Sequence, residues 1–123
     1  MQPKDDAAYL WDMLDGARTI VQMTTGVEFD QYLTNRMMQL AVERGIEIVG
    51  EAARGVSESF QQAHPEIPWR PIIAQRHILA HEYGSIQPDR IWRVVTIHIP
   101  ALIALLEPLV PSPPSSNPPA VQP

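Results

Sequence analysis

The sequence predicts an all-α fold, an up-and-down bundle of four to five helices, from three observations. Apolar residues recur at steps of three and four along most of residues 5–109, the period of a helix with one buried face. No segment combines alternating apolar and polar residues with a hairpin turn, as paired strands would. More than half of the 13 prolines lie beyond position 107. A chain of this size supports one core, so we predict one helical domain over residues 1–110.

The first helix is predicted from Asp5 to about Thr24, and either Asp5 or Asp6 can cap its first turn. Its apolar face consists of Ala7, Leu10, Leu14, Ala17 and Val21. The sequence Thr24, Thr25, Gly26 then breaks the helical pattern.

A longer second helix is predicted from about Thr34 to Ala63. Its predicted buried stripe consists of Met37, Ala41, Ile48, Ala52, Val56 and Phe60. Gly45, Gly50 and Gly55 each weaken this helix relative to alanine. Because glycine permits close backbone approach, we expect a neighbouring helix to cross there.

The remaining helices are separated by proline and glycine. His64 to Pro68 form a break, and a third helix follows to about Tyr83, where Gly84 can end it. A fourth helix is predicted from Pro88 to Ile99; Pro100 should kink or divide the chain before a last helical stretch to Leu109. Residues 111–123 are rich in proline and serine and are predicted to be a disordered tail.

Composition restricts the classes of function. The chain has no cysteine, which excludes disulfides and thiolate metal sites, and its first residues do not resemble a secretory signal. No run is apolar enough throughout to suggest a membrane span, so we expect a cytoplasmic protein without a membrane partner. The net charge is −5, yet residues 70–93 carry four arginines against two acidic side chains. That local basic excess is compatible with a phosphate-bearing partner.

The third helix carries an arginine in its apolar stripe. Arg76 is spaced at helical steps from Trp69, Ile72, Leu79 and Tyr83. An unpaired guanidinium is costly to bury, so Arg76 needs an acceptor: a carboxylate of this chain such as Glu51, a partner chain, or a ligand phosphate. His81 lies five residues further, about 140° around an ideal helix from Arg76. Distortion of the last turn before Gly84 could bring the two side chains together, but we expect packing against the same helix of a second subunit to do so.

Arg76, His81 and Tyr83 together resemble the R-x4-6-H-x-Y signature of HepT-like toxins in the HEPN superfamily of helical ribonucleases. Further similar blocks are GEAA (50–53), PEIPW (65–69), IWRVV (91–95) and IPAL (99–102), so the resemblance covers nearly all of residues 5–109. It implies a homodimeric, metal-independent endoribonuclease that needs no cofactor, with Arg76 and His81 catalytic and RNA, often tRNA, as substrate. It also implies the toxin part of a type VII toxin–antitoxin pair, silenced when a nucleotidyltransferase antitoxin adenylylates Tyr83.

Two alternatives compete with this interpretation. His77 and His81, at positions i and i+4, could share a metal ion, but no third ligand is evident and the sequence lacks HExxH. We therefore expect no metal site and place His77, with Glu51, as a possible supporting contact around the site. The second alternative is a non-catalytic dimeric helical module that binds a nucleotide or a partner protein through the same surface.

Overall fold

The computed structural model describes residues 5–81 and 86–110, and of residues 77–81 it describes the backbone alone. The described residues contain helices and no strand, which confirms the all-α prediction. The α-helices are α1 (Asp6–Thr24), α2 (Phe29–Leu33), α3 (Arg36–Gly55), α4 (Glu58–Ala63), α5 (Trp69–His81), α6 (Pro88–Arg93) and α7 (Ile99–Leu106). A π-helical turn (Val94–His98) joins α6 to α7, and a 3-10 turn (Glu107–Leu109) follows α7. The predicted tail, 111–123, lies outside the described residues.

Helix α1 begins and ends as predicted. The Asp5 carboxylate accepts a hydrogen bond from the backbone N–H of Ala8 at 2.9 Å, and the helix continues to Thr24. Its buried residues are Leu10, Met13, Leu14, Ala17 and Ile20.

The single long helix predicted over 34–63 is wrong, because the chain breaks after Gly55. Ser57 caps α4 by accepting from the backbone N–H of Phe60, and both its own N–H and its hydroxyl donate to the Asp6 carboxylate, each at 2.7 Å. Three hydrogen bonds therefore stabilise a new helix start at Ser57 and tie it to the first turn of α1.

The predicted stripe of α3 is also partly wrong. Met37, Ala41 and Ile48 are exposed, and the core side of α3 consists of Val42, Ile46, Val49, Gly50, Ala52 and Ala53. The helix has apolar residues on two faces, so helical periodicity alone did not distinguish the core face from the outer one.

The glycine prediction is confirmed for all three positions. A Cβ on Gly45 would contact the Ile20 side chain of α1, and a Cβ on Gly55 would overlap the Tyr9 ring of α1. A Cβ on Gly50 would overlap Arg76 of α5 and lie 2.9 Å from the Ile72 carbonyl oxygen. Helix α3 is thus the central helix, with α1 and α5 packed closely against it.

The segment Pro88–Leu109 is long and apolar enough, by length and composition, to span a membrane. One face of this segment nevertheless lies in the protein core, as expected of a core helix, through Ile91, Val95, Ile99, Leu102 and Leu106. Pro100 cannot donate a backbone hydrogen bond, and the π-helical turn lies just before it. The predicted interruption at Pro100 is therefore a local change in hydrogen bonding.

Candidate functional site

A compact turn determines where α5 begins. The indole Nε1 of Trp69 donates to the His64 carbonyl oxygen at 2.9 Å, and the Phe60 ring stacks on the His64 ring at 4.3 Å. The His64 ring lies 3.1 Å from the Glu66 carboxylate; hydrogen bonds from the Glu66 backbone and from His64 lower the pKa of that carboxyl. These contacts hold the first turn of α5 beside α4, close to the end of α3.

Helix α5 then runs antiparallel to α3. Phe60, which contacts Trp69 edge-on, lies in α4 directly after α3, whereas Arg76 lies against Gly50, further back along α3. The turns of α5 after Arg76 therefore run along the half of α3 that precedes Gly50. The absence of a side chain at Gly50 allows the two helix backbones to approach at the position of Arg76.

Arg76 is partly buried, and its Nε atom is buried without a hydrogen-bond partner among the described residues. None of the ion pairs formed within the described ranges involves Arg76. Glu51, the carboxylate considered for it, is exposed and does not pair with it. Of the acceptors considered, Glu51 is therefore not the partner, and among the described residues the buried Nε of Arg76 lacks an acceptor.

Acidic side chains that the sequence reasoning did not single out lie beside this helix contact. Glu47 and Glu43 precede Gly50 by three and seven residues, so they continue its face of α3. Glu47 pairs with Arg44 at 3.0 Å. Glu43 is partly buried, and burial raises the pKa of its carboxyl, although Arg36 opposes this effect. The spacing of Glu43 and Glu47 from Gly50 places them near α5 only when it is known that Gly50 faces α5.

Tyr32 lies near Glu43 and is fully buried. Its ring packs on Trp92 with centroids 4.8 Å apart, and its hydroxyl has no hydrogen-bond partner among the described residues. Burial, with Glu43 as a second cause, raises the pKa of the Tyr32 hydroxyl above its ordinary value. Tyr32 is therefore a neutral core residue at neutral pH.

The other predicted site residues lie outside what the structure describes. Helix α5 includes the backbone of His77 and His81, but their side chains lie outside the described atoms, as does all of Tyr83. Their roles stay predictions. Within the described ranges, no group of three His, Cys, Asp or Glu residues could hold a metal ion.

An exposed apolar face lies on the outer side of α3. Met37 is 77% exposed, Leu40 47% and Ile48 39%, and the three share one side of the helix by spacing. Glu51 follows Ile48 by one turn on that side and is adjacent to Gly50, where Arg76 packs. Exposed apolar residues grouped in this way are typical of an interaction surface.

Comparison with known proteins connects this arrangement to one family. A model of HepT-like ribonucleases matches residues 13–109. Two RNase-named proteins of Methanocaldococcus jannaschii are 31% and 33% identical to the chain; the first match covers 83% of the chain and 94% of the relative, the second 89% and 91%. A Thermococcus cleftensis protein, named as a HepT ribonuclease, is 35% identical over 82% of the chain and 92% of its own length.

No solved structure gives a significant match to the chain. The family match covers most of the domain and includes α3, α5 and the contact between Gly50 and Arg76. The chain therefore belongs to the HepT-like ribonuclease family.

Proposed function

We propose that this protein is the toxin of a type VII toxin–antitoxin pair, a homodimeric endoribonuclease of the cytoplasm that cuts RNA, with tRNA as the first candidate substrate. Arg76 and His81 are its catalytic residues, and neither a metal ion nor a cofactor takes part. The family supports the ribonuclease activity. The remaining elements of the proposal extend the predictions made from the sequence.

The observation that carries the proposal is the buried Nε of Arg76, which has no hydrogen-bond partner among the described residues. A buried Nε without an acceptor is costly unless a ligand supplies one. A phosphodiester offers oxygens that a planar guanidinium can bind in pairs. The same contact would stabilise the negative charge that develops on the phosphoryl oxygens during cleavage.

The proposed reaction needs His81 as a proton carrier. His81 takes the proton of the RNA 2′-hydroxyl as its oxygen attacks the neighbouring phosphorus, and the bond from phosphorus to the 5′-oxygen breaks. The departing 5′-oxygen takes up a proton from water, and His81 returns the proton it removed to solvent, which regenerates the histidine. The products are a 2′,3′-cyclic phosphate and a 5′-hydroxyl, so the atoms balance without a metal-bound water.

The proposed homodimer accounts for the geometry. On an ideal helix, positions 76 and 81 lie about 140° apart, so two subunits packed about a two-fold axis would combine an arginine and a histidine at one cleft. The exposed face of Met37, Leu40 and Ile48 lies beside α5 and offers apolar surface for such packing. His77 and Glu51 would border the cleft.

Silencing would follow from adenylylation of Tyr83 by a nucleotidyltransferase antitoxin. The phenolic oxygen attacks the α-phosphorus of ATP, loses its proton and displaces pyrophosphate. The attached AMP is bulky and anionic, so it would occupy Arg76 and exclude the RNA phosphate. Co-expression with the transferase should add one AMP-sized mass to the native chain and none to Tyr83→Phe; a native chain of unchanged mass would contradict this part.

Incubation of the unmodified protein with total tRNA in chelator tests the nuclease proposal. We expect cleavage products ending in a cyclic phosphate from the native chain, loss of cleavage in Arg76→Ala and His81→Ala, and retained cleavage in Arg54→Ala, which removes an exposed arginine in the last turn of α3. Failure of the unmodified chain to cut any RNA would favour the second candidate, a non-catalytic dimeric module that binds a nucleotide or protein through Arg76.

A further inference from the structure

An apolar cleft of about 340 Å³ lies between α5 and the segment formed by the π-helical turn and α7. Its floor is α3, and its lining includes Ile46 and Val49 from α3, Pro71 and Ile72 from α5, and Ala101 and Leu105 from α7. The volume lies within the range of sites that enclose ligands or peptide segments. No charged side chain lines the described cleft, so a charged occupant would lose its solvation without gaining a partner.

Gln75 and His98 are the polar side chains that line this cleft. Gln75 can donate and accept hydrogen bonds through its amide, and His98 can do so through its ring. The cleft does not include Arg76, which instead packs on Gly50. It is therefore distinct from the proposed RNA site.

The described chain ends beside this cleft. Leu106 is fully buried, and Glu107 pairs with Arg18 of α1 at 3.0 Å, so the end of α7 is held in place. Leu105, in that last turn, lines the cleft. The chain beyond Val110 consequently starts at one end of the cleft, and His98 lies toward the other.

Residues 111–123 suit the cleft in two ways: they are uncharged, and they are long enough to extend along it. They contain no charged side chain, and six of them are proline. The distance along the helix from His98 to Leu105 is about 10 Å at 1.5 Å per residue. A polyproline II segment advances ~3.1 Å per residue, so about four residues would span it.

We propose that the tail folds back and that its apolar segment, Pro118 to Val121, binds this cleft. A polyproline II segment has no internal hydrogen bonds, so its carbonyl oxygens are free to accept from Gln75 and His98. A segment with too few apolar residues to form its own core can still bind an apolar surface that is already folded, such as this cleft. A tethered occupant also has an effective concentration of the order of millimolar, above that of a second copy or another protein at ordinary concentrations.

Disulfide trapping tests this proposal directly, because the chain has no cysteine of its own. The test chain carries Ala101→Cys, in the cleft lining, with Ala120→Cys in the tail. The matched control carries Ala104→Cys with the same tail change; Ala104 is exposed on the same helix, outside the lining, and closer to the tail in sequence. Both helix positions are exposed, so both chains should fold.

We expect the 101/120 pair to form an intramolecular disulfide at least about tenfold faster than the 104/120 pair, as a bound tail would give. Adding Val121→Ser should slow trapping at 101. Equal rates for the two pairs would overturn the proposal. Crosslinked dimers on a non-reducing gel, with rates that rise with protein concentration, would also overturn it and assign the cleft to the tail of another copy.

Discussion

At the scale of single residues, Gly50 determines how closely α5 approaches α3. In Gly50→Ala, the new Cβ would overlap Arg76 and lie 2.9 Å from the Ile72 carbonyl oxygen, which is backbone and cannot rotate away. We expect this overpacking to lower the free energy of unfolding by roughly 1–3 kcal/mol, even though alanine favours helix. Urea unfolding monitored by circular dichroism would measure it.

Gly45→Ala is the matched control on the same helix. Its Cβ would lie 2.8 Å from Cγ1 and 3.2 Å from Cδ1 of Ile20, which are side-chain atoms and can shift more readily than a backbone carbonyl. Gly45→Ala should therefore cost less than Gly50→Ala. Equal losses would mean that the backbone contact with Ile72 is not what makes Gly50 necessary.

Glu43 should make stability depend on pH. Burial raises the pKa of its carboxyl in the folded state, so the folded chain binds more protons than the unfolded chain between the two pKa values. The contribution of the Glu43 carboxyl to the free energy of unfolding is therefore fully present below the unfolded pKa. It is lost as the pH rises through the folded pKa. Glu43→Gln should stabilise the protein at pH 7 relative to native, and this advantage should shrink at pH 4.

Denaturant midpoints for the native chain, Glu43→Gln and Glu51→Gln at both pH values would check this prediction. Glu51 is exposed on the same helix, so its substitution controls for the general loss of one negative charge. A Glu43→Gln advantage that is the same at pH 4 and pH 7 would contradict the assignment to ionisation.

The sequence could predict part of the candidate site and not the rest. Arg76 stood out because a charged residue interrupted an apolar stripe, and its need for an acceptor followed from solvation alone. The neighbouring positions of Glu43 and Glu47 depend on the antiparallel packing of α3 and α5, which joins residues far apart in sequence. Local periodicity contains no information on that pairing.

At the scale of helices, Ser57 and Asp6 join the starts of α4 and α1. Ser57→Ala removes both the cap of α4 and the hydroxyl donor to Asp6, so we expect a loss of about 1–2 kcal/mol in unfolding free energy. Ser59→Ala, a control in the same turn, removes only a peripheral hydroxyl contact to Ser57 at 3.3 Å. In a double-mutant cycle, Ser57→Ala and Asp6→Ala together should cost less than the sum of the two single losses in unfolding free energy. Losses that simply add would refute the contact between the two helix starts.

Helix boundaries show what periodicity can and cannot predict. The single face of α1 and its aspartate cap made that helix predictable from residues 5–24. The division of 34–63 was missed because it depends on Ser57 reaching Asp6, a contact between distant parts of the chain. The core face of α3 was missed because Met37 and Ile48 are apolar and yet face outward.

At the scale of the whole molecule, the outer apolar face of α3 determines the assembly we propose. Replacing Met37 or Leu40 by aspartate would place a charge where the second subunit packs, which is costly when the charge has no partner. We expect the native chain to sediment as a dimer, and Met37→Asp and Leu40→Asp to sediment as monomers with native helix content.

Ile97→Asp is the control, because Ile97 is 57% exposed in the π-helical turn, outside the proposed interface. It should remain a dimer.

Each proposed cleft combines Arg76 of one subunit with His81 of its partner, so the monomeric variants should also lose RNA cleavage. Mixing Arg76→Ala chains with His81→Ala chains should restore part of the cleavage. Monomeric variants that still cut RNA would place both catalytic side chains within one subunit and refute the shared cleft.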